Sequence, residues 1–492
     1  MTGRAAQPAV AAGSVVLPLA LAQFVASYAG SNMNVAISTI AGDIGTTVIG
    51  MQTTITLFTL TMASLMIPGS KLTDIWGRKV CFMAGLAVYG AGALLAAMAQ
   101  GLPLMIFGYS LLEGVGSALM IPPIYILITV LFSDTKTRAK YFGMVSGAAG
   151  LGAAAGPLIG GLVTSAISWR ASFVLQVLIV AVVALLARNL EDPPRDAAAP
   201  HFDLFGAVLS AAGLFFVVFG ILQSSTYGWL TSRRDFTVTG TVVIPQGGIS
   251  PVWLFIAIGA GFLLWFFLHI RSTDKAGKDP LVSTRLFRNR TSNLGLTTQT
   301  IQWLTMQGSF FVISVFLQQV RGYNAIQTGL MLAPATIGVL LASAASERLA
   351  LRRAQSFLIR RGFGVTIIGL LLLLALVREQ SSIWTFVPGL FLIGAGIGVM
   401  LTSSVNVVQS AFPEQDQGDI SGVSRSVSNL GSSLGVALAG SVLAAASFPG
   451  QHPFALSLII MTVFAAIGFA AALLIPHSER PADSGAEPLA PS

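Results

Sequence analysis

The sequence predicts an all-α polytopic membrane protein with fourteen spanning helices. Three observations predict it. Of the 492 residues, 54% are hydrophobic and only 9% charged, where a soluble domain carries roughly 25% charged residues. The mean hydropathy of +0.80 accords with that shortage of wettable surface. Apolar runs long enough to cross a bilayer recur along the chain, at about 20 residues for a core of about 30 Å, and basic residues alternate between connections.

Six runs come first, at 15–38, 51–69, 80–99, 103–131, 140–166 and 171–188, so 1–188 reads as one unit. Residues 189–203, with Pro193, Pro194 and Pro200, read as a polar linker. Two further runs at 204–223 and 252–270 flank 224–251, a polar stretch rich in Thr and Gly that should form an external loop with a short hairpin around Thr237–Ile244. A basic connection at 271–292 leads into 293–318, 324–346, 361–378, 385–409, 419–446 and 454–475, and a short polar tail fills 476–492. The layout is six helices, an inserted pair (204–270) and six more (293–475).

Fourteen is even, so both termini share a side. Of the 27 basic residues, 22 fall on the connections that share a side with the termini. The other five are Arg170, Arg233, Arg234, Arg321 and Arg378. By the positive-inside rule the richer side is cytoplasmic, which predicts a cell (inner) membrane protein with both ends inside. The net charge of +8 then reflects topology and anionic lipid rather than nucleic-acid binding.

Several functions are excluded by what the residues lack. Cys81 is the single cysteine, and His201, His269, His452 and His477 have no metal-ligand spacing. No glycine loop ending in Gly-Lys-Ser/Thr appears, so ATP-driven work by this chain is unsupported. The first apolar run is too long for a signal peptide and lacks its cleavage site. No cofactor is expected, and no His/Cys/Ser/Asp constellation at one depth suggests an enzyme.

Between spans 2 and 3 the chain reads Gly69, Ser70, Lys71, Leu72, Thr73, Asp74, Ile75, Trp76, Gly77, Arg78, Lys79. Its glycines permit a sharp turn, and the acid sits among cations at a helix end. Span 5 carries Gly152, Gly156, Pro157, Gly160 and Gly161. Glycines four apart let helices approach closely, and the proline removes a backbone hydrogen bond and favours a kink.

The first spacing resembles the signature loop of the major facilitator superfamily, matching at Gly69, Asp74, Gly77, Arg78 and Lys79. The second, followed by Trp169, Arg170 and Phe173, resembles the antiporter motif of its fourteen-helix drug:proton branch. Further ordered matches include Phe202–Gly206, Asp279–Leu281, Leu286–Arg290, Gln318 with Gln319, Gly322 with Tyr323, and Asn429–Gly431. The resemblance covers nearly the whole chain. It implies two pseudo-symmetric six-helix bundles plus the two inserted helices, a midplane substrate site and alternating access. It also implies that Asp74 and the basic pair help hold the halves together in one conformation.

Two departures bear on mechanism. Where the branch has an acid in span 1, this chain has Ala29, ahead of Asn34, Val35 and Ala36. Where it has Arg in span 4, this chain has Ser110, and Glu113 replaces the following Gln. Losing both charges strands neither, but it removes the residues on which proton coupling leans. Glu113 becomes the proton-coupling candidate, since a charge in the bilayer costs at least about 3 kcal/mol and is usually functional. Plain interhelical bonding by a protonated Glu113 is the alternative.

Polar residues fall in stripes at helical spacing: Gln23, Ser27, Ser31 and Asn34 in span 1, and Tyr109, Glu113 and Ser117 in span 4. Span 9 has Thr298, Gln302, Thr305 and Ser309, and span 12 has Ser403, Asn406 and Ser410. These spans are the cavity-lining set that the resemblance implies, although such residues also serve as interhelical glue. The expected cavity is mostly neutral and suits a lipophilic small-molecule substrate. Arg425 reads as an interfacial snorkelling side chain, with contact to an anionic group as its second reading. A monomeric exporter in contact with lipid and coupled to protons is the leading expectation, an uncoupled facilitator the next, and a non-transporting sensor the last.

Overall fold

The computed structural model describes residues 12–132, 135–190, 202–238, 241–350, 353–412, 417–445 and 452–476. Most of the linker, the polar tail beyond 476 and the side chain of Asp74 lie outside the described residues. Fourteen helical runs follow in order. The first seven are α1 (Ala12–Asp43), α2 (Val48–Trp76), α3 (Arg78–Ala97), α4 (102–131), α5 (Thr135–Ala166), α6 (Trp169–Ala187) and α7 (Leu204–Tyr227). The rest are α8 (Pro251–Lys275), α9 (Arg290–Val315), α10 (Ala325–Ala350), α11 (Gln355–Leu376), α12 (Phe386–Gln409), α13 (Gln417–Ala445) and α14 (His452–Leu473).

Thirteen of these are long and apolar enough to cross a membrane unaided among the described residues. The fourteenth, α5, bends by 42° between Gly147–Ala153 and Ala155–Ala166. Pro157 explains the bend, because it has no N–H for the carbonyl four residues earlier, at the break. α4 contains a π-helical stretch, Ile106–Glu113, and a second one, Phe316–Val320, ends the α9 span. The connection between α7 and α8 holds the expected hairpin, β1 (Phe236–Val238) paired antiparallel with β2 (Thr241–Ile244).

Helix starts follow from capping side chains. Thr47, Ser168, Asp203, Ser250 and Asn289 each accept a hydrogen bond from a first-turn N–H of α2, α6, α7, α8 and α9 respectively. α2 and α3 meet at one residue, Gly77, whose φ of 104° is a conformation that side chains disfavour.

Two bundles result. In the first, α1 packs on α5 and α6, α3 on α4 and α6, and α2 on α4. In the second, α9 packs on α13 and α14, α11 on α12 and α14, and α10 on α12. The second set is the first shifted by eight helices, so the bundles are pseudo-symmetric. They meet where α2 packs on α13 and α5 on α10, two contacts that exchange under the same shift. α7 packs on α8 and lies against α2 and α13, so the inserted pair sits at the seam between the bundles.

Small residues set these contacts, since lipid gives apolar side chains no reason to leave it for one another. A Cβ at Gly152 would lie 2.3 Å from the Phe24 carbonyl of α1, and one at Gly160 2.8 Å from Asn32 Cβ. Gly431 and Gly435 of α13 play the same part against α9, meeting the Thr300 and Leu304 carbonyls at 2.2 Å each. Large apolar side chains such as Leu185, Leu264, Leu268 and Val463 face outward. That outward display is stable only in hydrocarbon.

Candidate substrate cavity and its two gates

A cavity of about 60 Å³ lies between the bundles. α1 contributes Gln23, Ser27, Gly30 and Ser31; α2 contributes Phe58 and Thr59; α9 contributes Trp303 and Gln307; α13 contributes Arg425, Ser428, Asn429 and Ser432. An apolar recess of about 30 Å³ adjoins it, sharing Ala153, Trp303 and Arg425 and walled by Met306, Phe310, Val339 and Leu401. Both are far below the roughly 300–1,000 Å³ of a small-molecule site, so substrate requires the bundles to part.

Both entrances are closed. On the side bearing most of the basic residues, Lys71 Nζ of α2 lies 3.2 Å from Asp419 Oδ1 of α13, and Ser426 Oγ donates to the Ala63 carbonyl at 2.5 Å. On the opposite side, Gln318 accepts from the Ser38 N–H and donates to the Asn34 carbonyl, both at 3.0 Å. Gln52 donates to the Ala437 carbonyl at 3.2 Å. A Cβ at Gly161 of α5 would come 2.5 Å from the Ala325 carbonyl, and one at Gly329 of α10 2.5 Å from the Pro157 carbonyl. Contacts between the bundles thus stand on both sides of the cavity.

The signature segment around the α2–α3 junction supplies part of this closure through Lys71, and its other residues pack within the first bundle. Gly69 lets α2 approach α4, since a Cβ there would sit 2.3 Å from the Ala118 carbonyl. Lys79 Nζ donates to the Arg188 carbonyl at 2.7 Å, placing a cation at the carboxyl end of α6. Arg78 is half-buried beside Gly77.

Of the residues expected from the sequence, Gln23, Ser27 and Ser31 line the cavity. Asn34 is buried one turn further along, its carbonyl taken by Gln318. Tyr109, Glu113 and Ser117 lie inside the first bundle, behind the cavity wall. Tyr109 donates to the Ala29 carbonyl at 2.9 Å, and Glu113 lies beside Tyr89, which donates to Gln176. Ser110 donates to the Thr54 carbonyl at 2.7 Å. Gln302 lies inside the second bundle, accepting from Ser404 at 2.7 Å, and Asn406 is half-buried on α12 outside the cavity lining. Gly152, Gly156 and Gly160 face α1, with Gly156 against Ser31, while Gly161 faces α10.

Sequence reasoning did not select Trp303, Gln307, Asn429 and Ser432. The polar stripe of α9 that includes Gln302 points into its own bundle, and the cavity faces the neighbouring arc. Gly431 and Gly435 could have signalled this, because they fix which arc of α9 is taken by α13. Arg425 is half-buried and reaches the first bundle. Its guanidinium hydrogen-bonds the Tyr125 hydroxyl and stacks over that ring at 4.7 Å, and Tyr125 donates to Gln23 at 3.4 Å.

Two pseudo-symmetric bundles around a small amphipathic cavity, with contacts between the bundles on both sides of it, have the architecture of a membrane transporter. The family model described as Major Facilitator Superfamily matches residues 19–245, 236–436 and 362–491. The chain belongs to that superfamily and is a multi-pass transporter of its drug-efflux type. It is 28% identical to a Streptomyces coelicolor protein named "Probable actinorhodin transporter", over 84% of this chain and 69% of that one. It is 26% identical to the multidrug resistance protein Stp of Mycobacterium tuberculosis, covering 80% and 69%. Identity to the cephamycin export protein CmcT of Amycolatopsis lactamdurans is also 26%, covering 89% and 86%. In fold it is similar to the human organic anion transporter MFSD10, with a TM-score of 0.59, 16% identity, and 95% and 100% of the two chains covered.

Proposed function

We propose that this transporter exports lipophilic, drug-like small molecules across the inner membrane by alternating access, with Glu113 as its proton-carrying group. The observation that supports export of amphipathic solutes is the chamber itself. Amides, hydroxyls, Trp303 and Phe58 line one part, and an apolar recess adjoins it. The names of the relatives, an antibiotic transporter, a multidrug resistance protein and an export protein, support the substrate class and the direction. The 22-to-5 distribution of basic residues supports cytoplasmic termini. The chain is read as acting as a monomer in contact with lipid.

The alternating motion follows from the seam. α2 with α13 and α5 with α10 are the only extended contacts between bundles among the described residues, and the gates include an ion pair on one side and side-chain hydrogen bonds on the other. Rocking one bundle on the other opens one gate while the other stays packed. Glu113 supports coupling because an acid within the bilayer is usually functional and neither carboxyl oxygen has a hydrogen-bond partner of good geometry.

An uncoupled facilitator is the second reading, favoured by Ala29 and Ser110. Both are buried and engaged with their neighbours in the first bundle, leaving no gap where the branch's charged pair would stand. Transport in proteoliposomes under an imposed pH gradient separates the two. Uphill substrate movement driven by the gradient, lost in Glu113→Gln, is the expected result. Transport indifferent to the gradient overturns the coupling.

A further inference from the structure

We propose that Arg425 makes the chamber selective for lipophilic organic monoanions, holding a carboxylate, phenolate or sulfonate at the polar end of a bound substrate. The inference rests on the chamber being the substrate site, and it sharpens the substrate class from lipophilic to lipophilic and acidic. Arg425 stands six residues beyond Asp419 on α13, which places it about 9 Å inward of the Lys71–Asp419 gate along the helix. It lines both the polar cavity and the apolar recess. A snorkelling arginine would instead turn its head group outward.

Among the described residues no carboxylate stands within ion-pair distance of Arg425. Among the described residues its hydrogen bond and its stacking contact both go to Tyr125, a neutral phenol. Glu113 is the one acid in the apolar heart of the spans, and it lies beside Tyr89 inside the first bundle. A guanidinium has five N–H donors, so a hydroxyl partner leaves capacity for two oxygens of an acid group. Asn429 brings an amide to the same cavity, beside Gln307, whose Nε2 donates to the Gly30 carbonyl at 3.1 Å. Arg425 is half-buried, so its charge is partly withdrawn from water, and a substrate that brings one negative charge offsets the cost of that withdrawal.

The recess decides the rest of the ligand. Met306, Phe310, Val339 and Leu401 begin where Arg425 and Trp303 end, so the acid group and the apolar body of one molecule fit side by side. One cation matches one negative charge. A dianion leaves a charge unmatched, and a neutral molecule leaves the guanidinium unmatched.

The test uses the full-length protein in nanodiscs, with empty nanodiscs subtracted, and two probes: anthracene-9-carboxylate and its neutral methyl ester. Wild-type protein is expected to bind the carboxylate more tightly than the ester. Arg425→Gln is expected to weaken the carboxylate about tenfold or more, the scale of a charge-assisted hydrogen bond, and to leave the ester within about twofold. Arg425→Lys keeps the charge without the planar fork and should fall between. Ala153→Phe fills the junction of cavity and recess and should weaken both probes. If Ala153→Phe weakens both but Arg425→Gln spares the carboxylate or weakens both probes alike, the anion assignment is overturned and the chamber stands. If Ala153→Phe changes neither, or if wild type binds neither probe, the reading of the chamber as a site for such molecules falls with it.

Discussion

Lys71 of α2 and Asp419 of α13 are joined across the two bundles at 3.2 Å, with side chains 15% and 24% exposed. They lie on a motif loop and at the start of a helix, and the acid also sits where the positive end of α13 favours it. The pair therefore ties the signature loop directly to the other half of the molecule.

Breaking it should bias the conformational equilibrium rather than the fold. A partly screened ion pair is worth up to about 1 kcal/mol, so Asp419→Asn should raise the population open on this side by about fivefold. Distances between spin labels on the α2–α3 connection and on α13 report the change. The double exchange Lys71→Asp with Asp419→Lys should restore most of the closed population. Unchanged distance distributions in the single variant contradict the gate.

The opposite gate depends on close backbone approach. Gly329→Val places side-chain atoms where the Pro157 carbonyl now lies, 2.5 Å from the first added carbon. The variant should fold but fail to close that side, reducing transport to near background. Raised labelling of cysteines introduced along the α5–α10 seam is the accompanying signal.

Glycines within the spans should divide by what they touch. Gly152→Leu drives a side chain into the Phe24 carbonyl, 2.3 Å from the new Cβ, and overpacking costs about 1–3 kcal/mol or more. Gly364→Ala on α11 meets nothing within 4 Å and should hold or slightly raise stability by improving helix propensity. Thermal unfolding in one detergent, both variants side by side, makes the comparison.

Arg170 clamps the end of the first bundle opposite the Lys71–Asp419 gate. It pairs with Asp43 at the end of α1, donates to the Ala99 carbonyl at 3.0 Å and covers the Trp169 ring at 4.2 Å. Arg170→Ala should lower the unfolding midpoint by a few degrees, since the pair is partly exposed and the packing and carbonyl contacts are lost with it. Arg170→Lys should recover part of that loss.

The two motif stretches were legible as local pattern because their chemistry is local. Gly77 is needed for a turn whose φ is positive, and Pro157 for a break in its own hydrogen-bond ladder. The hairpin at Phe236–Ile244 was legible for the same reason. The π-helical stretch ending at Glu113 was not, since nothing in the spacing of Tyr109 and Glu113 distinguishes an i+5 bond pattern from an i+4 one.

The sequence alone determined that this chain lives in a bilayer, how many times it crosses, and to which superfamily it is similar. Those properties follow from hydropathy summed over windows and from residues adjacent in the chain. Which arc of each helix faces the chamber was decided by tertiary structure. Gln302 and Trp303 are neighbours in sequence, yet one hydrogen-bonds Ser404 inside a bundle and the other lines the cavity. A polar residue in a membrane helix gains as much from another helix as from a substrate chamber. Only the docking of α13 on α9, through Gly431 and Gly435, turns Trp303 and Gln307 inward and brings Arg425 to meet Tyr125.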